Sequence, residues 1–282
     1  MMGKLFLVGT PIGNLGDFSP RAAEVLASTD LIAAEDTRVT AKLLHAFNIK
    51  TPMISYHAHN HKTSGEAILA RIQAGENVAL VTDAGMPSIS DPGEELVRAC
   101  RASGVAVESV PGPVAFATAL ALSGMPSGRF TFEGFLSVAK NSREAHLESL
   151  KGETRTMLFY EAPHKMPQTL RDFARCFGDR PLAIVRELTK IHEEVIQTTC
   201  TAAARDFAAH TFKGEIVLVL GGANKQPKTT ISLEEAAALA RAYAKANNCA
   251  RTEAAHAIAK QTGCKKNAVY TAMLREEEGR NG

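Results

Sequence analysis

The chain has 282 residues, of which 45% are hydrophobic and 22% charged, and carries a formal net charge of +2. That is the balance of a soluble globular protein with room for two domains and a small appendage, and it excludes fibrous and disordered classes. No apolar run approaches the ~20 residues of a membrane helix, and the N-terminal apolar stretch is too short for a signal sequence. Cys100, Cys176, Cys200, Cys249 and Cys264 are scattered and never spaced Cys-x-x-Cys. They point to reduced thiols in the cytoplasm, with neither a disulfide frame nor a zinc knuckle.

In chain order, residues 5–9 read as a buried strand that breaks into "GTPIGNLGD". Its glycines run G-x-x-x-G-x-x-G, Pro11 lacks an N–H, and Asp17 stands where a P-loop has Lys-Ser/Thr. The pattern argues against a phosphate cradle and leaves a tight strand-to-helix turn. Ser19 and Pro20 set the cap and first residue of a helix to about Ala27. Residues 31–34, 53–55, 78–82 and 105–110 are short, mostly continuous apolar runs, as in parallel strands buried on both faces. Asp91-Pro92, followed by Glu94 and Glu95, predicts another helix start, closed by Gly104. Strands alternating with helices imply a doubly wound, mostly parallel sheet over residues 1–124.

"LSGMPSGRF", residues 122–130, marks a boundary. Beyond it, strands at 130–136, 154–161, 182–188, 193–199 and 215–221 meet only two or three helices. The pair 182–188 and 193–199 is close enough for a hairpin, so the second α/β domain, 125–224, has a mixed sheet. After the polar linker 223–230, residues 230–282 form a small helical module. Ser232 with Glu235 makes a capping box, Thr252 caps a second helix ending at Gly263, and Asn267 opens a third with Val269, Ala272, Met273 and Leu274 on its apolar face. Two helices across "QTGCKKN" resemble a helix-turn-helix. From residue 228 onward nine Lys/Arg stand against six Asp/Glu, a basic tail suited to RNA or simply a bundle with solvated lysines.

Unusual residues collect after the first-domain strands: "AAEDTR", "SYHAHNH", "VTDAGMPSISDPG" and "VPGPVA". In open α/β sheets ligands bind beyond the carboxyl ends of the strands. His57, His59 and His61 alternate, so an extended segment would present them together, but no cysteine or nearby carboxylate completes a metal site; a polar cleft wall or plain surface is expected. Asp83 ends a buried strand, Gly85 lets backbone approach a ligand, Pro87 stiffens the turn, and Ser88, Ile89 and Ser90 offer main-chain and hydroxyl groups. No base neighbours either serine and G-x-S-x-G is absent, so the loop suits binding of a polar, zwitterionic or adenosyl ligand.

"GTPIGNLGD", "AAEDTR", "HAHN", "TDAGMPSISDPG", "VPGP", "FEGFL", "FYEAPHK", "RELTKIHEE" and "GEIVLVL" occur in the order of one family. Over roughly residues 4–222 the chain resembles the ribosomal RNA small-subunit methyltransferase I group of the tetrapyrrole methylase superfamily, and its tail resembles that group's C-terminal helix-turn-helix module. The resemblance implies two α/β domains with S-adenosylmethionine in the cleft between them, a homodimer, and 2′-O-methylation of a cytidine in the decoding region of 16S ribosomal RNA, the partner being that RNA or the 30S subunit. Carried over by motif, the cofactor residues are Gly85, Met86, Pro87, Ser88, Ile89, Val114, Ala115, Tyr160, Glu161, Gly214, Glu215 and Ile216, with Pro11 and Asp83 added from the neighbouring loops. Gly-Met-Pro here replaces the Gly-Asp-Pro of tetrapyrrole enzymes, removing a carboxylate that Asp83 would have to supply. Catalytic candidates are Glu187, Lys190 and Asp36. Glu35 and Glu161 are further possible bases and Arg186 a further cation, all with structural ion pairing as the alternative. Arg38, His57, His59, Lys265 and Lys266 are the RNA-binding candidates. A tetrapyrrole C-methyltransferase is disfavoured by the basic tail and the missing Gly-Asp-Pro, and a non-catalytic RNA-binding module by the complete set of cofactor motifs.

Overall fold

The computed structural model describes residues 2–58, 60–224 and 231–278, without the side chains of residues 61, 62 and 275–278. The chain divides into two compact units, Met1–Ala223 and Asn224–Gly282.

In the first unit, β1 (Lys4–Val8), β2 (Leu31–Ala34), β3 (Met53–Ser55), β4 (Val78–Val81) and β5 (Ala106–Val110) form a parallel sheet in the order β3-β2-β4-β1-β5. The helices between them are α1 (Pro20–Ser28), α2 (Thr37–Ala46), α3 (His61–Gln73) and α4 (Glu94–Ala102). Continuous apolar strands are needed because both faces are covered. Val8, Ile32, Ala34, Ala79 and Val81 pack with Ala22, Leu26, Leu43 and Leu44 of α1 and α2. Leu5, Leu31, Ala33, Val78 and Leu80 pack with Ile68, Ile72, Leu96 and Cys100 of α3 and α4. Connections leave β1 and β4 in opposite directions, so the carboxyl ends of these neighbours make the crevice expected at a topological switch point.

Two sequence expectations change here. His57, Ala58 and Asn60 belong to a turn rather than an extended run: Asn60 Oδ1 accepts a bond from His57 N at 2.7 Å, and His61 already opens α3. His59 lies outside the described residues. Helix α4 starts at Glu94 with Gly93 as its cap, not at Asp91-Pro92, because the chain must first make a left-handed turn at Gly93, φ 145°.

The second sheet comprises β6 (Phe130–Phe135), β7 (Thr156–Glu161), β8 (Pro181–Arg186), β9 (Glu194–Thr199) and β10 (Ile216–Leu220), in the order β6-β7-β10-β8-β9. β6 runs parallel to β7 and the remaining pairs are antiparallel, including the β8–β9 hairpin. α6 (Lys140–Ser149), α7 (Met166–Phe177) and α8 (Cys200–Asp206) cover one face through Leu147, Leu170, Phe173 and Ala203. The other face is covered by α5 (Ala115–Ser123), which follows the first sheet in sequence but seats Ala119 and Leu120 against Leu158, Val185 and Val217. Its opposite side, with Ala117, Ala121 and Leu122, is exposed.

The second unit holds α9 (Leu233–Asn247), α10 (Arg251–Thr262) and α11 (Lys266–Glu278). Ser232 and Glu235 form the capping box with both bonds present. α10 is entered from Ala250, which has extended backbone and no side-chain cap, so Thr252 sits inside the first turn. Val269 and Met273, four apart, are buried on the small core, whereas Leu274 turns outward. No helix among the described residues is long and apolar enough to cross a membrane.

Candidate active site

The loops leaving β1, β2, β4 and β5 converge on loops from the second sheet around a cleft of about 420 Å³. The 10–17 loop is fastened at its start and its middle. Thr10 N donates to Gly85 O at 2.9 Å and Gly85 N returns a bond to Thr10 O at 3.1 Å, while Asn14 Nδ2 donates to Thr189 O at 3.4 Å. The glycines of the opening motif serve these close approaches. A Cβ on Gly9 would lie 2.6 Å from the backbone of Gly112, and one on Gly13 would lie 2.7 Å from Lys190 Cγ. Gly85 sits at φ +92°, a turn a side chain strains.

Charge gives the cleft its character. Glu35, Asp83, Asp91, Glu161 and Glu215 line it, and among the described residues no lysine or arginine does. Thr82 Oγ1 donates to Glu35 Oε2 at 2.5 Å, and Asp36 N donates to Asp83 Oδ1 at 3.1 Å. Burial, followed by the negative charge of Glu35, raises the Asp83 carboxyl above its ordinary value and pushes Asp91 up to about 6. Carboxylates held at such a disadvantage are relieved by a cation and aggravated by a phosphate. Glu161 takes less part: 4% exposed, it accepts from Ala162 N at 2.8 Å and Thr169 Oγ1 at 2.6 Å, which satisfies it within the fold. Tyr160, whose hydroxyl accepts from Phe116 N at 3.2 Å, and Phe135 supply aromatic walls.

At one edge of the cleft, Lys190 Nζ donates to Glu187 Oε1 at 2.8 Å and to Glu215 Oε2 at 3.2 Å. Burial pulls the ammonium down, but these hydrogen bonds outweigh it and the lysine titrates above its ordinary value. The hydrogen bond from Lys190 holds Glu187 below its ordinary value. Glu187 Oε1 also accepts from Glu215 N at 3.1 Å. Gly214, at φ +80°, makes room for this carboxylate, since a Cβ there would stand 2.0 Å from Glu187 Oε1.

Asp83, Gly85, Met86, Ile89, Val114, Ala115, Tyr160, Glu161, Gly214, Glu215 and Ile216 thus border one cleft. Pro87 and Ser88 do not line it, and the Ser88 hydroxyl is buried without a partner. Pro11 lines a neighbouring compartment together with Lys190. Asp36 borders neither compartment; it caps α2 and its carboxyl is held down to about 2 by hydrogen bonds from Arg38. Arg38 is spent on that pair, Arg186 Nη1 meets Glu194 Oε2 at 2.7 Å across the hairpin, and His57 also lies away from the cleft. Lys265 and Lys266 are exposed in the second unit. No metal-holding group of three or more His, Cys, Asp or Glu occurs among the described residues. Asp91 was missed in the sequence because Asp-Pro before two glutamates reads as a helix cap, and Phe135 because it closes an ordinary strand pattern.

Residues 4–204 match the tetrapyrrole (corrin/porphyrin) methylases. Over 277 residues, 98% of this chain and 99% of the other, the sequence is 46% identical to the ribosomal RNA small subunit methyltransferase I of Synechocystis sp.. The Escherichia coli O157:H7 protein of the same name is 40% identical over 280 residues, 98% of this chain and 96% of its own. Among solved structures, a cobalt precorrin-4 methyltransferase of cobalamin biosynthesis superimposes with a TM-score of 0.58 at 17% identity, covering 77% of this chain and 94% of its own. The uroporphyrin-III C-methyltransferase of Thermus thermophilus gives 0.56 at 20% identity over 78% and 94%; these two show a shared fold. The chain belongs to the tetrapyrrole methylase family and, within it, to the ribosomal RNA small subunit methyltransferase I group.

Proposed function

We propose that the protein transfers a methyl group from S-adenosylmethionine to the 2′ oxygen of a cytidine ribose in the decoding region of 16S ribosomal RNA, within the RNA or the 30S subunit. The observation that carries the donor is a cleft at the sheet's carboxyl edge lined, among the described residues, by five carboxylates and no lysine or arginine, which fits a cationic ligand and opposes a phosphate. Similarity along almost the whole chain to proteins named for the small ribosomal subunit supports the acceptor. S-adenosylmethionine, when bound, supplies a methyl carbon activated by its sulfonium.

In this reading the 85–89 turn, Val114, Ala115, Tyr160 and the 214–216 strand entry hold the donor, while Pro11 lines the compartment beside it. Glu161 fixes the β7 end that carries Tyr160, and Asp83 and Asp91 face the donor's positive charge in place of the missing Gly-Asp-Pro carboxylate. Lys190 is the catalytic residue: two of its three N–H donors are taken by Glu187 and Glu215, and the third is left to hold the ribose oxygen, whose proton passes to solvent water as the oxygen takes the methyl group. Glu187 positions it. Asp36 is better suited to holding Arg38 than to taking a proton, since a carboxyl titrating at about 2 is a weak base. The basic tail, with Lys265 and Lys266, and Arg38, His57 and His59 belong to RNA docking.

The reading also includes the domain division 1–124, 125–224 and 230–282, a cytoplasmic location, suited by free thiols such as Cys176 and Cys249, and a homodimer. For the dimer, Phe130, Phe135 and Val138 on and after the edge strand β6 offer exposed apolar surface. Mass spectrometry of ribosomal RNA nucleosides from cells with and without the gene tests the activity. Loss of one 2′-O-methylcytidine is expected, and unchanged RNA with methylation of a uroporphyrinoid would overturn it. With purified protein, Lys190→Met should lower kcat by about 10²–10³ while the melting temperature stays near that of wild type.

A further inference from the structure

Beside the cleft lies a second compartment of about 330 Å³, walled by α2 and the 10–15 loop. It shares Ile12, Thr82, Asp83, Ala84 and Glu215 with the first, and Lys190 stands in its wall. An acceptor oxygen must come within about 3–3.5 Å of the methyl carbon, so whatever accepts the methyl group must enter a space that adjoins the donor. This compartment meets that condition, and three features of its walls say what it takes. Thr40 is 3% exposed and lines it, yet its hydroxyl has no hydrogen-bond partner among the described residues. A buried orphan hydroxyl is unfavourable unless a ligand completes it. Leu15 and Val39 border the compartment while 54% and 39% exposed, apolar lips of the kind that receive the face of an unstacked base. Lys42, exposed in the same wall, makes no ion pair among the described residues, unlike Lys190, which two carboxylates hold.

We propose that this compartment is the acceptor pocket and takes a single ribonucleotide turned out of its strand. Its ribose lies toward Lys190 at the shared wall, its base rests against Leu15 and Val39, the Thr40 hydroxyl bonds a polar edge of the base, and Lys42 holds a flanking phosphate. Phosphate contacts fix register, and an extruded base is read by its edge and face. The proposal rests on the methyl-transfer reading above and adds the pocket and its residues.

The test uses full-length protein, S-adenosylmethionine and small ribosomal subunits from cells lacking the gene. Thr40→Val should melt at or above the wild-type temperature, because a buried hydroxyl without a partner gives way to a methyl group, while KM for the subunit rises about tenfold and Thr40→Ser restores it. Lys42→Ala should lower the slope of log(kcat/KM) against log salt by about 0.7. Calorimetric affinity for S-adenosylmethionine should change in neither. Wild-type KM and salt slope in both variants overturn the pocket and leave the function standing, as does a destabilised Thr40→Val, which would make that hydroxyl structural. A wild-type protein that binds S-adenosylmethionine but methylates no subunit overturns both.

Discussion

Asp91 illustrates how one side chain in the cleft couples stability to ligand charge. Burial, then Glu35, raises its carboxyl from 3.8 to about 6. Between those values the folded protein binds the proton more tightly than the unfolded chain does. The stability this group contributes is therefore complete below 3.8 and is lost as pH rises through about 6. We expect Asp91→Asn to raise the melting temperature at pH 8 and to flatten its pH dependence between 4 and 6, read by thermal unfolding. A cationic ligand favours the ionised form, so wild-type affinity for S-adenosylmethionine should climb between pH 5 and 7 and that climb should shrink in the variant. Equal pH dependence in both proteins would place Asp91 outside the donor site. Its neighbour Asp83 was legible in the sequence, because it ends an apolar strand. Asp91 was not, because nothing in "SISDPG" announces that the helix waits for Gly93, where a Cβ would lie 2.2 Å from Ser88 Oγ.

At the scale of elements, the loops after β4 and β8 share an unusual backbone. Ser88 (φ 70°), Ser90 (φ 64°), Glu187 (φ 52°) and Thr189 (φ 65°) all lie in the left-handed region, which non-glycine residues enter at a cost and which clusters at working sites. For Thr189 the loop closes around the strain: its N–H donates to Glu193 Oε2 at 2.7 Å, and Lys190 N donates to Glu187 O at 3.1 Å. Replacing Thr189 by Gly relieves about 1–2 kcal/mol against roughly 0.5–1 kcal/mol of added freedom in the unfolded chain. We expect Thr189→Gly to be slightly more stable in denaturant melts and several-fold slower in turnover, because Lys190 is then held less firmly. A rise in both would show that the strain has no catalytic use. The strands themselves were readable, since β2 and β4 are buried throughout and the β8–β9 turn is short. The seating of α5 on the second sheet was not, since an all-apolar helix carries no mark of which sheet it covers. Left-handed serines and a threonine look like any others in a sequence.

At the scale of the whole molecule, the division into Met1–Ala223 and Asn224–Gly282 matters for function because each unit has its own core. The second is built largely on alanine: Ala236, Ala237, Ala240, Ala255 and Ala259 pack with Ile258, Val269 and Met273. Small side chains bring helices close and leave long ones for the surface, where Lys245, Lys260, Lys265 and Lys266 are exposed. The capping box and Gly263 made this unit's helices legible. The RNA-docking task proposed for it rests on charge and resemblance alone, because surface lysines carry no imprint of what they bind. Lysines of this kind contact phosphates and set affinity and register without reading sequence. Each phosphate contact adds about 0.7–0.9 to the slope of log affinity against log salt. A protein ending at Ala223 should therefore keep its affinity for S-adenosylmethionine, since every described residue lining the proposed donor cleft precedes that point, while binding ribosomal substrate more weakly and with a flatter salt dependence. The measurement is RNA binding across a salt series for full-length and truncated protein. A slope lower by two or more contacts makes 224–282 the docking unit, and identical slopes with identical affinities would make it a packing or dimerisation element instead.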